Sequence, residues 1–142
     1  MRTSVLLTLV LVAGTALSGT AFAQEEEGPS AYWYVSAYNI PWEKVDSLQS
    51  LNRQYTAPVV EDSKQAGRIL DRKMLIHHTA NEYNVIIMTK FPSWEAIDRG
   101  AGFDEFAEQR WDEAKNEEIE AAFDWVFEGA GAHQDWIYGE AE

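Results

Sequence analysis

The sequence predicts an α+β fold: a four-stranded antiparallel sheet carrying two helices on one face, in the order β-α-β-β-α-β. Three observations predict it. Aromatic-rich, strand-like runs open and close the stretch 31–142, and two more stand as a pair in its middle. Apolar residues at helical spacing fill both intervals between them. Proline or glycine stands at most of the junctions.

The first 23 residues are set apart from that fold. Arg2 supplies a positive start, Val5 to Val12 is an almost unbroken apolar run, and Ala21-Phe22-Ala23 is a small-x-small cleavage site. This is the pattern of a secretory signal peptide, which predicts a periplasmic or secreted protein cleaved after Ala23. Cleavage leaves 119 residues, Gln24 to Glu142, enough for one domain with one core. The chain has no cysteine, so neither a disulfide nor a lipid anchor at the cleavage site is available, and packing alone must hold the fold. Gln24 to Ser30, QEEEGPS, has nothing to bury and reads as a disordered acidic linker.

The formal charge is −13, and losing Arg2 takes it to −14. Such a surface repels phosphate backbones and anionic lipid, which excludes nucleic acid and, after cleavage, a membrane as partners. Solubility rather than cation binding is the reading of this charge.

Ala31 to Ile40, AYWYVSAYNI, is the first strand, ending at Pro41. Tyr34, Ser36 and Tyr38 alternate onto one face, Trp33, Val35 and Ala37 onto the other. Pro41 then opens a helix with Glu43 in its first turn, and Val45, Leu48, Leu51 and Tyr55 make its apolar stripe. Pro58 must end or kink that helix near Ala57, after which it can resume as far as Ala66, with Gly67 as its stop. Arg68 to Thr79 and Tyr83 to Phe91 are the paired strands, joined by a short turn at Ala80-Asn81-Glu82. Ser93 is a good cap for a helix from Trp94 that pauses at Gly100-Ala101-Gly102. It restarts near Asp104 and runs to Glu128, with Phe103, Phe106, Ala107, Trp111, Ala114, Ile119, Ala122, Phe123 and Val126 as its buried stripe. Gln134 to Tyr138 is the last strand.

This order is the ferredoxin-like βαββαβ pattern, with the histidine-bearing strand at an edge and Tyr83–Phe91 in the centre. Two helices cover only one face of such a sheet. Yet Val85 and Ile87 point one way while Ile86 and Met88 point the other, so the strands are apolar on both faces. A second copy of the chain is the simplest cover, which predicts a homodimer. In this order of elements, and in the strand-to-helix junction Met88-Thr89-Lys90-Phe91-Pro92-Ser93-Trp94-Glu95-Ala96, the chain resembles the dimeric α/β-barrel superfamily. That group includes antibiotic-biosynthesis monooxygenases, haem-degrading enzymes and muconolactone isomerases. The resemblance implies a dimeric barrel and leaves the chemistry open, because the group's chemistries differ.

His77-His78 lies inside the second strand. Adjacent strand residues face opposite ways, so the pair cannot chelate one metal, and no metal site is expected. With the turn centred on Asn81-Glu82, His78 lies opposite Val85 and His77 opposite Ile86. Met74, Ile76, His78, Val85 and Ile87 then face the helices. Leu75, His77, Thr79, Asn84, Ile86, Met88 and Lys90 face the cavity between two sheets, joined by Tyr34, Ser36 and Tyr38. A one-residue slip reverses these facings. The candidate cavity residues are therefore His77, Tyr34, Tyr38, Asn84 and Met88. A neutral imidazole there could act as a base, and tyrosine hydroxyls could hold a polar group. Against this stands the plainer reading of both histidines as strand residues at a dimer edge. The function expected is an exported homodimer that binds a small molecule in the sheet cavity or serves a structural role. No cofactor is expected. The alternative is a cofactor-free or haem-linked monooxygenase-like enzyme.

Overall fold

The computed structural model describes residues 30–79 and 82–141. The expected signal peptide, most of the expected acidic linker, Ala80 and Asn81 of the turn, and Glu142 lie outside those residues. Strands β1 (Tyr32–Tyr38), β2 (Asp71–Ile76), β3 (Val85–Phe91) and β4 (His133–Gly139) form one sheet in the order β2-β3-β1-β4, every pair antiparallel. This is the predicted ferredoxin-like arrangement. The first helical arm is α1 (Trp42–Leu51), a π-helical turn (Asn52–Thr56) and α2 (Ala57–Gln65). The second arm is α3 (Trp94–Arg99), α4 (Phe103–Arg110) and α5 (Glu113–Phe127). Among the described residues no helix is long and apolar enough to cross a membrane.

Both arms pack on one face of the sheet. Val45 and Leu48 of α1 and Val126 of α5 close over Val85, with Met74, Ile76, Ile87 and Tyr38 packed alongside. Farther along, Val60, Ala96 and Phe103 meet Ile69, Phe91 and Tyr34. Residues directly opposite in antiparallel strands share a face. The ladder sets Tyr34 against Thr89, Ser36 against Ile87 and Tyr38 against Val85, so all three β1 residues face the helices. The expectation that Tyr34, Ser36 and Tyr38 sit across from the helices is corrected here. β1 carries aromatics on both faces, so alternation alone could not orient it. Ring contact with Phe127, 5.0 Å between centroids, draws Tyr38 to the helical side. The facings expected in β2 and β3 hold, although the ladder is offset by two residues: Ile76, not His78, lies opposite Val85.

The first arm does not end at Pro58. A proline cannot donate to the carbonyl four residues back, and its ring crowds that carbonyl. The chain widens by one turn instead, with the Ala57 N–H donating to the Asn52 carbonyl, five residues back. The second arm breaks where continuity was expected. Trp111 is extended, and the Asp112 side chain accepts from the Lys115 N–H at 2.9 Å, capping a new helix. Ser93 caps α3 as expected, accepting from the Ala96 N–H at 3.2 Å.

Among the described residues no helix covers the other face. It carries Trp33 from β1, Ile86 and Met88 from β3, Leu75 from β2, and Trp136 and Tyr138 from β4, with Val35 and Ala37 of β1 buried between them. Leu75 is 48 % exposed and Tyr138 55 %.

Candidate functional site

The five residues expected to meet in a sheet cavity do not meet. Met88 lies on the open face, while Tyr34 and Tyr38 lie beneath the helices. His77 falls beyond the end of β2, where its backbone N–H donates to the Asn84 carbonyl at 2.8 Å. Its ring turns back on its own chain, with Nδ1 2.8 Å from the Thr79 carbonyl. His78 is exposed and stacks on Trp42 at 6.1 Å. Asn84 is 5 % exposed and fully engaged. Its Nδ2 donates to the Ile40 carbonyl at 2.6 Å, and its Oδ1 accepts from the Ile40 N–H at 2.8 Å. That paired bond fastens the β1–α1 corner to the start of β3, so the side chain is a structural clasp.

Beneath the helices the two tyrosines belong to a polar cluster shared with β4. Asp135 stands opposite Ser36, and His133 opposite Tyr38 with the two rings stacked at 4.3 Å. Burial pushes the Asp135 carboxyl up. Hydrogen bonding from Ser36, the charge of His133, and hydrogen bonds from Tyr34 and His133 outweigh it, and the net position is below the ordinary value of 3.8. Burial and the neighbouring Asp135 carboxylate push the Tyr34 phenol up. A carboxyl depressed in the folded state contributes stability above its unfolded pKa and loses it as pH falls through the folded value. Wild type and Asp135→Asn should therefore differ in melting temperature at pH 5 and converge as pH falls below about 3.8. Thermal melts from pH 2 to 6 check this, and a constant difference across that range would count against it.

A space large enough for a ligand lies in the helical layer. A cleft of about 560 Å³ runs between the π turn with α2 on one side and α4 with α5 on the other. Its walls are aromatic and aliphatic: Tyr55, Val59, Phe103, Trp111, Ile119 and Phe123. Tyr55 meets Trp111 edge to face at 5.8 Å. Asn116 fixes that wall by donating to the Trp111 carbonyl at 3.1 Å. Lys115 packs its ammonium over the Tyr55 ring at 5.0 Å and pairs with Glu118 at 2.9 Å. Asp104, Glu108 and Glu120 also line the cleft, while Lys115 is not among its lining residues. A volume of this size with mainly apolar walls and a few convergent polar groups has the properties of a small-molecule site.

Sequence reasoning placed Phe103, Trp111, Ile119 and Phe123 in a continuous buried stripe. All four are half-buried, and of the nine stripe residues only Val126 is buried. The signal that could have exposed the cleft is Asp112-Glu113, a capping residue followed by a first-turn acid, which breaks the helix beside Trp111.

No protein-family model matches the chain, and no curated protein matches it. Among solved structures it is similar to a dimeric protein of unknown function and ferredoxin-like fold from Bacteroides fragilis NCTC 9343. The two are 12 % identical, with a TM-score of 0.48, over 79 % of this chain and 98 % of that one.

Proposed function

We propose that the chain is an exported homodimer whose helical-layer cleft binds a small, mainly apolar molecule bearing a neutral or cationic end. The observation that carries the binding role is the cleft itself: about 560 Å³ between aromatic walls, with three carboxylates among its lining residues. Aromatic faces attract cations, and the carboxylates disfavour an anion. The homodimer reading is supported by the apolar sheet face that no helix among the described residues covers, and export by the N-terminal pattern of Arg2, the apolar run and Ala21-Phe22-Ala23. The oxygenase alternative is less favoured, because its motive was His77 among tyrosines and the His77 ring lies against the Thr79 carbonyl.

Fluorescence titration of residues 24–142 tests the binding role, with Trp111 in the cleft wall as reporter. Benzyltrimethylammonium is the cationic probe, benzyl alcohol the neutral one and benzoate the anionic one. The cation should saturate the signal, the alcohol should bind more weakly, and benzoate should not bind. Ala107→Trp, which fills the cleft, should abolish the response to the cation. Equal responses to all three probes, or binding that survives Ala107→Trp, would sink the proposal.

A further inference from the structure

Arg72 sits on the helical face of the edge strand β2, opposite Thr89. It is half-buried overall, and its Nε is closed off from solvent with no hydrogen-bond partner. The chain carries 24 acidic residues against 11 Lys and Arg, and other arginines use them: Arg68 pairs with Glu105 at 2.9 Å, and Arg110 pairs with Asp62. No carboxylate among the described residues pairs with Arg72. The Phe103 ring lies 5.0 Å from the guanidinium carbon. A ring face satisfies none of the guanidinium's five N–H donors. Burial draws the Arg72 pKa down from its ordinary value, with the Tyr38 phenol opposing this.

Beside Arg72 lies a separate hollow of about 110 Å³, lined by Asn52, Ala57, Val60, Lys73 and Met74 as well. At roughly 30 Å³ per water this holds three or four waters, the volume of a small oxyanion. Asn52 and Ala57, the two ends of the bond that defines the π turn, form one side of it. A donor closed off from solvent without a partner is costly, and a planar guanidinium matches a carboxylate or phosphate in a two-pronged fork.

We propose that Arg72 and the hollow under the π turn form a binding site for a small oxyanion, a carboxylate or a phosphate, distinct from the apolar cleft on the other side of the first helical arm. Arg72 supplies the charge and the fork, and the Asn52 amide supplies a further donor.

Thermal melts of residues 24–142 in sodium acetate and in sodium phosphate, each against sodium chloride of equal ionic strength, test the site. Wild type should gain stability saturably, by about 5 °C at a tenfold excess of anion over its Kd. Arg72→Met should lose that response, and in chloride it should melt at or above the wild-type temperature, because a donor closed off without a partner has been removed. Asn52→Leu fills the hollow while keeping Arg72 and should also lose the response, which keeps the test open if Arg72→Met fails to fold. Response to phosphate alone identifies the anion as phosphate-like, and response to both as carboxylate-compatible. Absence of a saturable gain in wild type, or its persistence in Asn52→Leu or a folded Arg72→Met, overturns the proposal.

Discussion

Replacing Asn84 by alanine is expected to destabilise the fold by about 2–4 kcal/mol, a large share of the roughly 5–15 kcal/mol that holds a domain together. The side chain satisfies both backbone groups of Ile40, which is itself only 1 % exposed. Removing it leaves a buried N–H and a buried C=O unpaired, each at a cost of about 1–3 kcal/mol. A fall of roughly 10–15 °C in melting temperature should follow. Asn84→Asp is an informative companion. Its carboxylate can still accept from the Ile40 N–H but cannot donate to the Ile40 carbonyl, so a nearly isosteric change should still be severe. Urea unfolding of both variants decides the point. A loss below ~1 kcal/mol in Asn84→Ala would mean that water replaces the clasp.

Leu75→Asp is expected to turn the proposed dimer into a monomer without unfolding it. Leu75 is 48 % exposed in the single chain, so an aspartate there costs the monomer little. Within a sheet-to-sheet interface the same carboxylate would be desolvated among Ile86 and Met88 of its own chain and the matching residues of the partner. That should raise the dimer dissociation constant roughly a hundredfold or more. Light scattering at micromolar concentration, beside circular dichroism, separates assembly from folding. An unchanged mass in the variant would place the interface elsewhere. A monomeric wild type would remove the dimer and require another cover for Trp33, Trp136 and Tyr138.

The architecture was legible because its signals are local and redundant. Period-two alternation in β3, Ser93 as a cap, and Gly67 as a stop each reflect a backbone requirement that one residue type meets. Gly67, with a φ of +67°, shows this directly. The site was not legible, for reasons tied to particular residues. β1 is aromatic on both faces, so Tyr34 and Tyr38 could be oriented only by long-range pairing with Thr89 and Val85. His77 was drawn into the strand by the apolar run around it, yet β2 ends at Ile76 and the ring finds Thr79 instead. Asn84 was read as a cavity polar group because nothing local announces a bond to Ile40, 44 residues away. The cleft depends on a gap between helices, and a gap is a property of packing that periodicity does not record.

The π turn also bears on how the chain tolerates changes in its length. A bond spanning five residues closes a turn with one residue more than its α-helical neighbours, so the segment Asn52–Thr56 carries a surplus residue. Deleting Gln54, which is exposed, together with Pro58→Ala should yield an uninterrupted helix. Val45 and Leu48 on one side, and Val59 and Ser63 on the other, should keep their inward facings. Deleting Glu61 should instead swing Ser63 about 100° away from the Ala101 carbonyl to which it donates at 2.7 Å. Melting temperatures of the two deletions should therefore diverge sharply, and equal damage from both would show that the surplus residue is not spare. Tyr55 and Thr56 border the large cleft, while Asn52 and Ala57 border the small hollow. A single-residue gap at this point would leave the core in register and remodel both spaces together.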